Sequence, residues 1–239
     1  MKTRNTKLGV IAITLLSAAM PFTAKAQDKV EASVGADFVS NYIWRGTDCG
    51  GVSIQPSMGV SYKGLSLTAW GSVGIDKEDA REIDLTLGYN TGGFSVSVTD
   101  YWFSYHKEDG GYTGDYFKYG AHSTVHIFEA TLGYDFGPLA LSWNTYFAGD
   151  DYTKENGDRA YSTYVGISAP FKLGGLDWSA EVGLTPWEGA YANKFNVTNL
   201  TLKAEKEIKF TNSFSLPTFA QVTFNPHTQG AYFVFGVSF

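Results

Sequence analysis

The chain has 239 residues, with 18 basic and 24 acidic side chains, 16% aromatic residues, 27 glycines and a single cysteine, Cys49. An acidic balance excludes a nucleic-acid binder that works by electrostatics, and one cysteine excludes an intrachain disulfide framework. Beyond the first residues no apolar stretch reaches the roughly 20 residues that a membrane-spanning helix needs.

The N-terminus reads as a secretory signal peptide. Lys2, Arg4 and Lys7 form a positive segment, Leu8 to Leu16 is almost unbroken apolar sequence, and Ala24-Lys25-Ala26 offers small residues at the two positions a signal peptidase reads. Cleavage before Gln27 is expected, giving residues 1–26 as the signal peptide and 27–239 as one domain. No cysteine follows the cut, so a lipid anchor is not expected. Four of the 18 basic residues and none of the 24 acidic ones lie in 1–26, so export takes the formal charge from −6 to −10.

From residue 30 the pattern has a period of two, the signature of strands. Val30, Ala32, Val34, Ala36 and Phe38 fall on one face, with Glu31, Ser33, Gly35 and Asp37 on the other. Leu65/Leu67/Ala69, Leu139/Leu141/Trp143 and Phe233/Phe235/Val237/Phe239 repeat the apolar face further along. The alternation predicts about twelve strands, over 30–45, 52–63, 65–75, 81–91, 94–105, 122–136, 139–149, 160–173, 176–188, 195–210, 213–225 and 231–239. Most match the roughly 9–11 residues of a tilted strand crossing a bilayer.

Every second connection is tight and marked by glycine, as at Lys63-Gly64, Gly92-Gly93, Gly137-Pro138 and Gly174-Gly175. The others, such as 106–121 and 150–159, are longer and polar. Short turns at one end and long loops at the other belong to bacterial outer-membrane barrels. Tyr62, Tyr89 and Tyr134 recur near the short turns, while Tyr42, Trp44, Trp70, Tyr101, Trp102, Tyr146 and Trp187 sit at the far ends, as two interfacial aromatic bands would. The expected fold is therefore all-β, a transmembrane antiparallel up-and-down barrel of about twelve strands in the outer membrane of a Gram-negative bacterium, with membrane lipids as its surroundings. A soluble periplasmic β-sandwich also alternates. It fits less well, because the aromatics gather at strand ends.

One segment, Phe38-Val39-Ser40-Asn41-Tyr42-Ile43-Trp44-Arg45-Gly46, resembles the S-N-Y-x-[WF]-R-G signature of TorF-type porins, small bacterial outer-membrane proteins. Pro56 and Trp70 match a following proline and a tryptophan in a Gly-rich stretch, and the likeness covers about residues 30–105. Thr47-Asp48-Cys49 departs from it. The resemblance implies a barrel in which the motif closes the first strand, and Phe239 resembles the C-terminal signal read by the outer-membrane assembly machinery.

With the apolar face on lipid, the other face lines a lumen carrying Asp37, Asn41, Arg45, Asp84, Glu129, Glu181, Lys203 and Glu205 among Ser, Thr, Gly and Gln. The alternation places Tyr42 and Trp44 outward, opposite Asn41 and Arg45. Arg45 and Asn41 then either form a constriction or ligand contact, or Arg45 pairs with a lumen carboxylate such as Asp37. The acidic excess suggests a channel for ions or small polar solutes, weakly cation-preferring. A closed barrel with a structural, adhesive or ligand-binding role is the alternative. Catalysis is not expected. His122-Ser123 points the two side chains to opposite faces, and no carboxylate is evident beside His122 or His126. Residues four apart on a strand stand about 13 Å apart, too far to share a metal. No metal and no cofactor are expected. The aromatic loop 106–121 is long enough to plug the lumen, bind a ligand or cover the outside.

Overall fold

A computed structural model describes residues 29–107, 111–211 and 214–239. The expected signal peptide lies outside the described residues. Among the described residues fourteen strands form, and twelve of them close into one antiparallel up-and-down barrel. In chain order the wall consists of β1 (Glu31–Val39), β4 (Ser53–Tyr62), β5 (Leu65–Gly74), β6 (Arg81–Thr91), β7 (Phe94–Ser104), β8 (His126–Asp135), β9 (Ala140–Gly149), β10 (Thr163–Leu173), β11 (Leu176–Thr185), β12 (Asn196–Lys209), β13 (Ser215–Asn225) and β14 (Gly230–Ser238). The remaining two, β2 (Tyr42–Trp44) and β3 (Thr47–Gly50), form a separate two-stranded ribbon.

The wall is inside out relative to a water-soluble protein. Along β6, Ile83, Leu85, Leu87 and Tyr89 are exposed, while Glu82, Asp84 and Gly88 are buried. The same division runs round the barrel. Val34, Met58, Leu67, Val96, Leu132, Leu202 and Phe233 lie on the outside, whereas Ser66, Thr68, Thr99, Asn144, Thr201 and Gln221 are buried within. Polar residues point inward because the period of two gives each strand one face of each kind, and closing the sheet turns one face away from the surroundings.

The tight turns take two central residues at positive φ, as at Lys63–Gly64, Gly92–Gly93 and Gly174–Gly175. This is the hairpin turn whose twist matches that of its strands. Closure occurs between the first and last strands, β1 and β14, through the pairs Asp37–Ser238, Phe38–Val237 and Val39–Gly236. Phe239 extends this seam. Its N–H donates to the Ala36 carbonyl at 2.9 Å, and its own carbonyl accepts from the Ala36 N–H at 3.3 Å.

The first predicted strand, 30–45, is shorter in the structure. The wall ends at Val39, and Ser40 finishes the seam by donating its N–H to Phe235 and accepting Phe235 N–H on its hydroxyl, at 2.9 and 3.0 Å. The chain then turns into the barrel and makes β2. Alternation continues through Tyr42–Arg45 because β2 is itself a strand, so periodicity alone does not mark the break.

Candidate functional site

The β2–β3 ribbon fills the lumen. Its turn is Arg45–Gly46, with φ of 51° and 79°, the same two-residue turn that joins the wall strands. On one side, Ile43 packs with Val39 and Val234 against Phe219 and Tyr232, an apolar cluster inside an otherwise polar lumen. On the other, Tyr42 meets Trp70 at 5.5 Å and Trp44 meets Tyr101 at 5.6 Å between ring centroids. The tip meets the wall at β12 and β13. A Cβ built on Gly46 would lie 1.9 Å from the Thr198 carbonyl oxygen, and Asn225 donates to the Gly46 carbonyl at 3.0 Å. Only glycine fits there, for want of space and because of its φ.

Arg45 anchors the tip. Nη1 and Nη2 reach the two oxygens of Glu129 at 2.6 and 2.9 Å, a bidentate, charge-assisted pair. Both side chains are almost wholly buried, at 3% and 1% exposed. Tyr101 also donates to Glu129 at 3.0 Å, and Arg45 donates to Tyr191, which bonds Tyr146. The guanidinium carbon stands 4.3 Å from the Trp44 ring centroid and 4.8 Å from that of Tyr164. Burial disfavours the charge on Arg45, but the Glu129 carboxylate outweighs it and holds the guanidinium above its ordinary pKa. Tyr191 comes from the β11–β12 connection, so a second segment also enters the lumen. From there Tyr164, Glu181 and Asn199 continue the network, with Asn199 donating to Tyr164 and Glu181 at 3.0 Å, and Tyr164 to Glu181.

The result is a polar layer about three residues below the long-loop rim, roughly 10 Å along a strand. Glu129, Thr198 and Thr223 are each less than 2% exposed there. With Arg45, Tyr101 and Tyr146 also buried, the ribbon is packed against the wall at this level. Toward the short turns the lining loosens. Ser33, Ser57, Ser95, Ser97 and Ser179 are half-buried, and Lys203 pairs with Glu205 at 2.7 Å.

Several expected positions change. Tyr42, Trp44 and Trp70, read as outward interfacial aromatics, all lie on the lumen side, as do Tyr101 and Tyr146; the first two are on the inward ribbon, and Trp70 is register-paired with buried Asp84. Arg45 pairs with Glu129 and not with Asp37, because the ribbon carries it across the lumen. Asp37 faces the lumen between Gln55 and Ser238. Asn41 lies in the bend that starts the ribbon. Tyr62, Tyr89 and Tyr134 are exposed on the outer wall near the short turns.

Glu82 was not singled out in the sequence, although it shares the lumen face of β6 with Asp84 by simple alternation. It lies beside the Tyr42 side chain of the ribbon, while Asp84 Oδ1 is buried without a hydrogen-bond partner among the described residues. Cys49, half-buried on β3, lies near this acidic patch. Burial, then Glu82 and Asp48, push its thiol pKa up. Among the described residues no group of three or more His, Cys, Asp or Glu side chains is placed to hold a metal ion.

The loop expectation resolves to the outside of the barrel. A carboxylate does stand beside His126, contrary to the sequence reading: Asp100 Oδ1 is 2.7 Å from Nδ1. It comes from the neighbouring strand β7, a juxtaposition that spacing along one strand cannot reveal. No family model matches the chain, and no curated protein matches it.

Proposed function

We propose that the protein is an outer-membrane pore for ions or small polar solutes, held shut in this state by its own β2–β3 ribbon. The outer-membrane reading rests on the apolar exterior. Each large apolar side chain left in water forgoes about 1.5–3 kcal/mol, and a closed sheet is one of two structures that satisfy every backbone group in lipid. The resemblance to TorF-type porins over the ribbon motif agrees with it. The pore reading rests on the lumen. Twelve strands enclose more space than the eight whose interior wall side chains can fill, and these walls are lined by Ser, Thr and Gly. What occupies the middle is a short hairpin with a two-residue turn, joined to the wall only through Ser40–Asn41 and Gly51–Val52.

The observation that carries the reading is the Arg45–Glu129 pair at the ribbon tip. It ties the ribbon to the far wall through one bidentate contact that can be made or lost as a unit. A permanently closed structural barrel is the second reading, favoured by the completeness of the buried network around that pair.

Planar-bilayer recordings separate the two. The intact protein should show rare or small steps, and a variant with residues 41–51 replaced by a short Gly/Ser link should conduct steadily, with a cation preference from Asp37, Glu82, Asp84, Glu181 and Glu205 against Lys203. If the correctly folded ribbon-deleted barrel stays silent, the pore reading fails.

A further inference from the structure

Part-way down its outer face the wall carries a carboxylate beside an imidazole. The register pairs Asp100 with Leu85 and Phe128, and Trp102 with Ile83 and His126, so Asp100 and His126 share the exposed apolar side of the sheet. An uncovered carboxylate and imidazole on a lipid-facing wall would be costly. They are not uncovered. After β7 the chain extends as a short ladder, with Thr113 N–H donating to the Tyr105 carbonyl at 2.8 Å. It then folds back down the outside as a strap over 114–125. Gly114, with φ of 76°, makes the turn; a Cβ there would stand 2.9 Å from the Phe103 carbonyl oxygen. The Tyr116 carbonyl lies 2.7 Å from His126 Nε2, and the Tyr119 hydroxyl donates to Asp100 at 3.4 Å. His126 is left 0% exposed.

In covering the polar pair, the strap presents new apolar surface in its place. Phe117 is 89% exposed and Tyr119 48%. Rings run without a break from strap to wall: Phe117 on Tyr116 at 5.1 Å, Tyr119 on His126 at 4.2 Å and on Phe128 at 6.4 Å, and Phe128 on Phe147 at 6.4 Å. Asp100 lies four residues below the end of β7, roughly 13 Å along the strand, so the strap descends well past the rim. Lys118, exposed beside Phe117, is long enough to keep its ammonium at headgroup level.

We infer that the strap is an interfacial membrane anchor: Phe117 and Tyr119 enter the outer leaflet beside β7 and β8, and the Asp100–His126 pair clamps the strap there. Its occupant is a lipid surface, because the exposed rings continue the apolar wall at the same level. The inference rests on the barrel being membrane-embedded, and the test keeps the two apart. In a Cys49→Ser background, nitroxides are placed at Phe117→Cys and, separately, at Leu132→Cys on the bare wall, in phosphatidylcholine vesicles. Collisions with oxygen, which concentrates in lipid, are compared with those of a water-soluble nickel complex.

Both labels should favour oxygen. If the label at 132 favours oxygen and that at 117 favours nickel, the barrel spans the membrane and the anchor is refuted. If both favour nickel, the membrane reading itself is lost and the anchor with it. Spin–spin broadening between labels at 117 would mean that a second copy covers the strap, which also overturns the proposal. Adding His126→Ala should free the strap, making the label at 117 mobile and nickel-accessible; an unchanged spectrum would remove the clamp from the inference.

Discussion

Arg45 and Glu129 are the two side chains whose loss should be most informative. Removing one partner of a buried ion pair leaves an uncompensated charge, at a cost of about 3–5 kcal/mol. A wall strand cannot relieve that cost without opening the barrel, whereas the ribbon can relieve it by leaving the lumen. Glu129→Leu should therefore displace the ribbon rather than unfold the protein, and Arg45→Met combined with Glu129→Leu should allow it to return. Lysine at 45 should not substitute, since it lacks the planar fork that meets both carboxylate oxygens. Gly46→Ala should act like Glu129→Leu, because its Cβ would meet the Thr198 carbonyl. Cys49 reports each outcome. Its thiol pKa is raised by burial and by nearby carboxylates, so near pH 7 it is protonated and unreactive, and the labelling rate should climb steadily as pH rises through the alkaline range. Each unit of raised pKa removes about tenfold of the thiolate that reacts. Maleimide labelling at pH 7 should thus be at least about tenfold faster in Glu129→Leu and Gly46→Ala than in the native protein, and slow again in the double variant. Equal rates in all four would mean that the ribbon does not depend on the pair.

At the scale of elements the seam differs from the rest of the wall. β1 meets β14 through three register pairs, while β6 meets β7 through eleven. Local opening follows the number of bonds that must break together, so amide exchange should be fastest in wall strands β1 and β14 and slowest in β6 and β7. Deleting Phe239 removes the two hydrogen bonds with Ala36 and should accelerate exchange in β1 further; protection of β1 equal to that of β6 would show that the seam is not the weak line. The strands themselves were legible from alternation, because each is half-buried and each side chain's destination follows from parity. The spans expected for β6, β7 and β13 fall within about two residues of those observed. The ribbon was not legible, since a strand inside the lumen alternates as a wall strand does. The sequence signal that marks it is Arg45-Gly46, a turn dipeptide in the middle of an apparent strand. The strap was illegible for another reason: loop sequence gives composition but not the side of a sheet on which it lies, and the Asp100–His126 contact exists only once β7 and β8 are paired.

Across the whole molecule the charges are divided by layer. The long-loop side of the lumen is crossed by the Arg45 network, in which one cation and Glu129 cancel. Below and beside it stand Asp37, Glu82, Asp84, Glu181 and Glu205 with Lys203, whose ammonium is bound to Glu205. Expelling the ribbon takes out both Arg45 and Asp48, which cancel, and leaves Glu129 unpaired, so opening should uncover a lumen carboxylate as well as widen the pore. Rings of carboxylates favour cations. Selectivity should then be a property of the open state, set by the carboxylates that the ribbon's departure uncovers. In a salt gradient across a bilayer, the reversal potential of that barrel should carry the sign of a cation-selective pore. Glu82→Gln with Asp84→Asn should move it toward zero, since these two side chains lie at the constriction level and the ribbon's Tyr42 no longer occupies Glu82. Glu205→Gln should matter less, because its charge is already balanced by Lys203 at 2.7 Å. An anion-selective potential, or one indifferent to Glu82 and Asp84, would place the conduction path away from the β5–β7 side of the lumen.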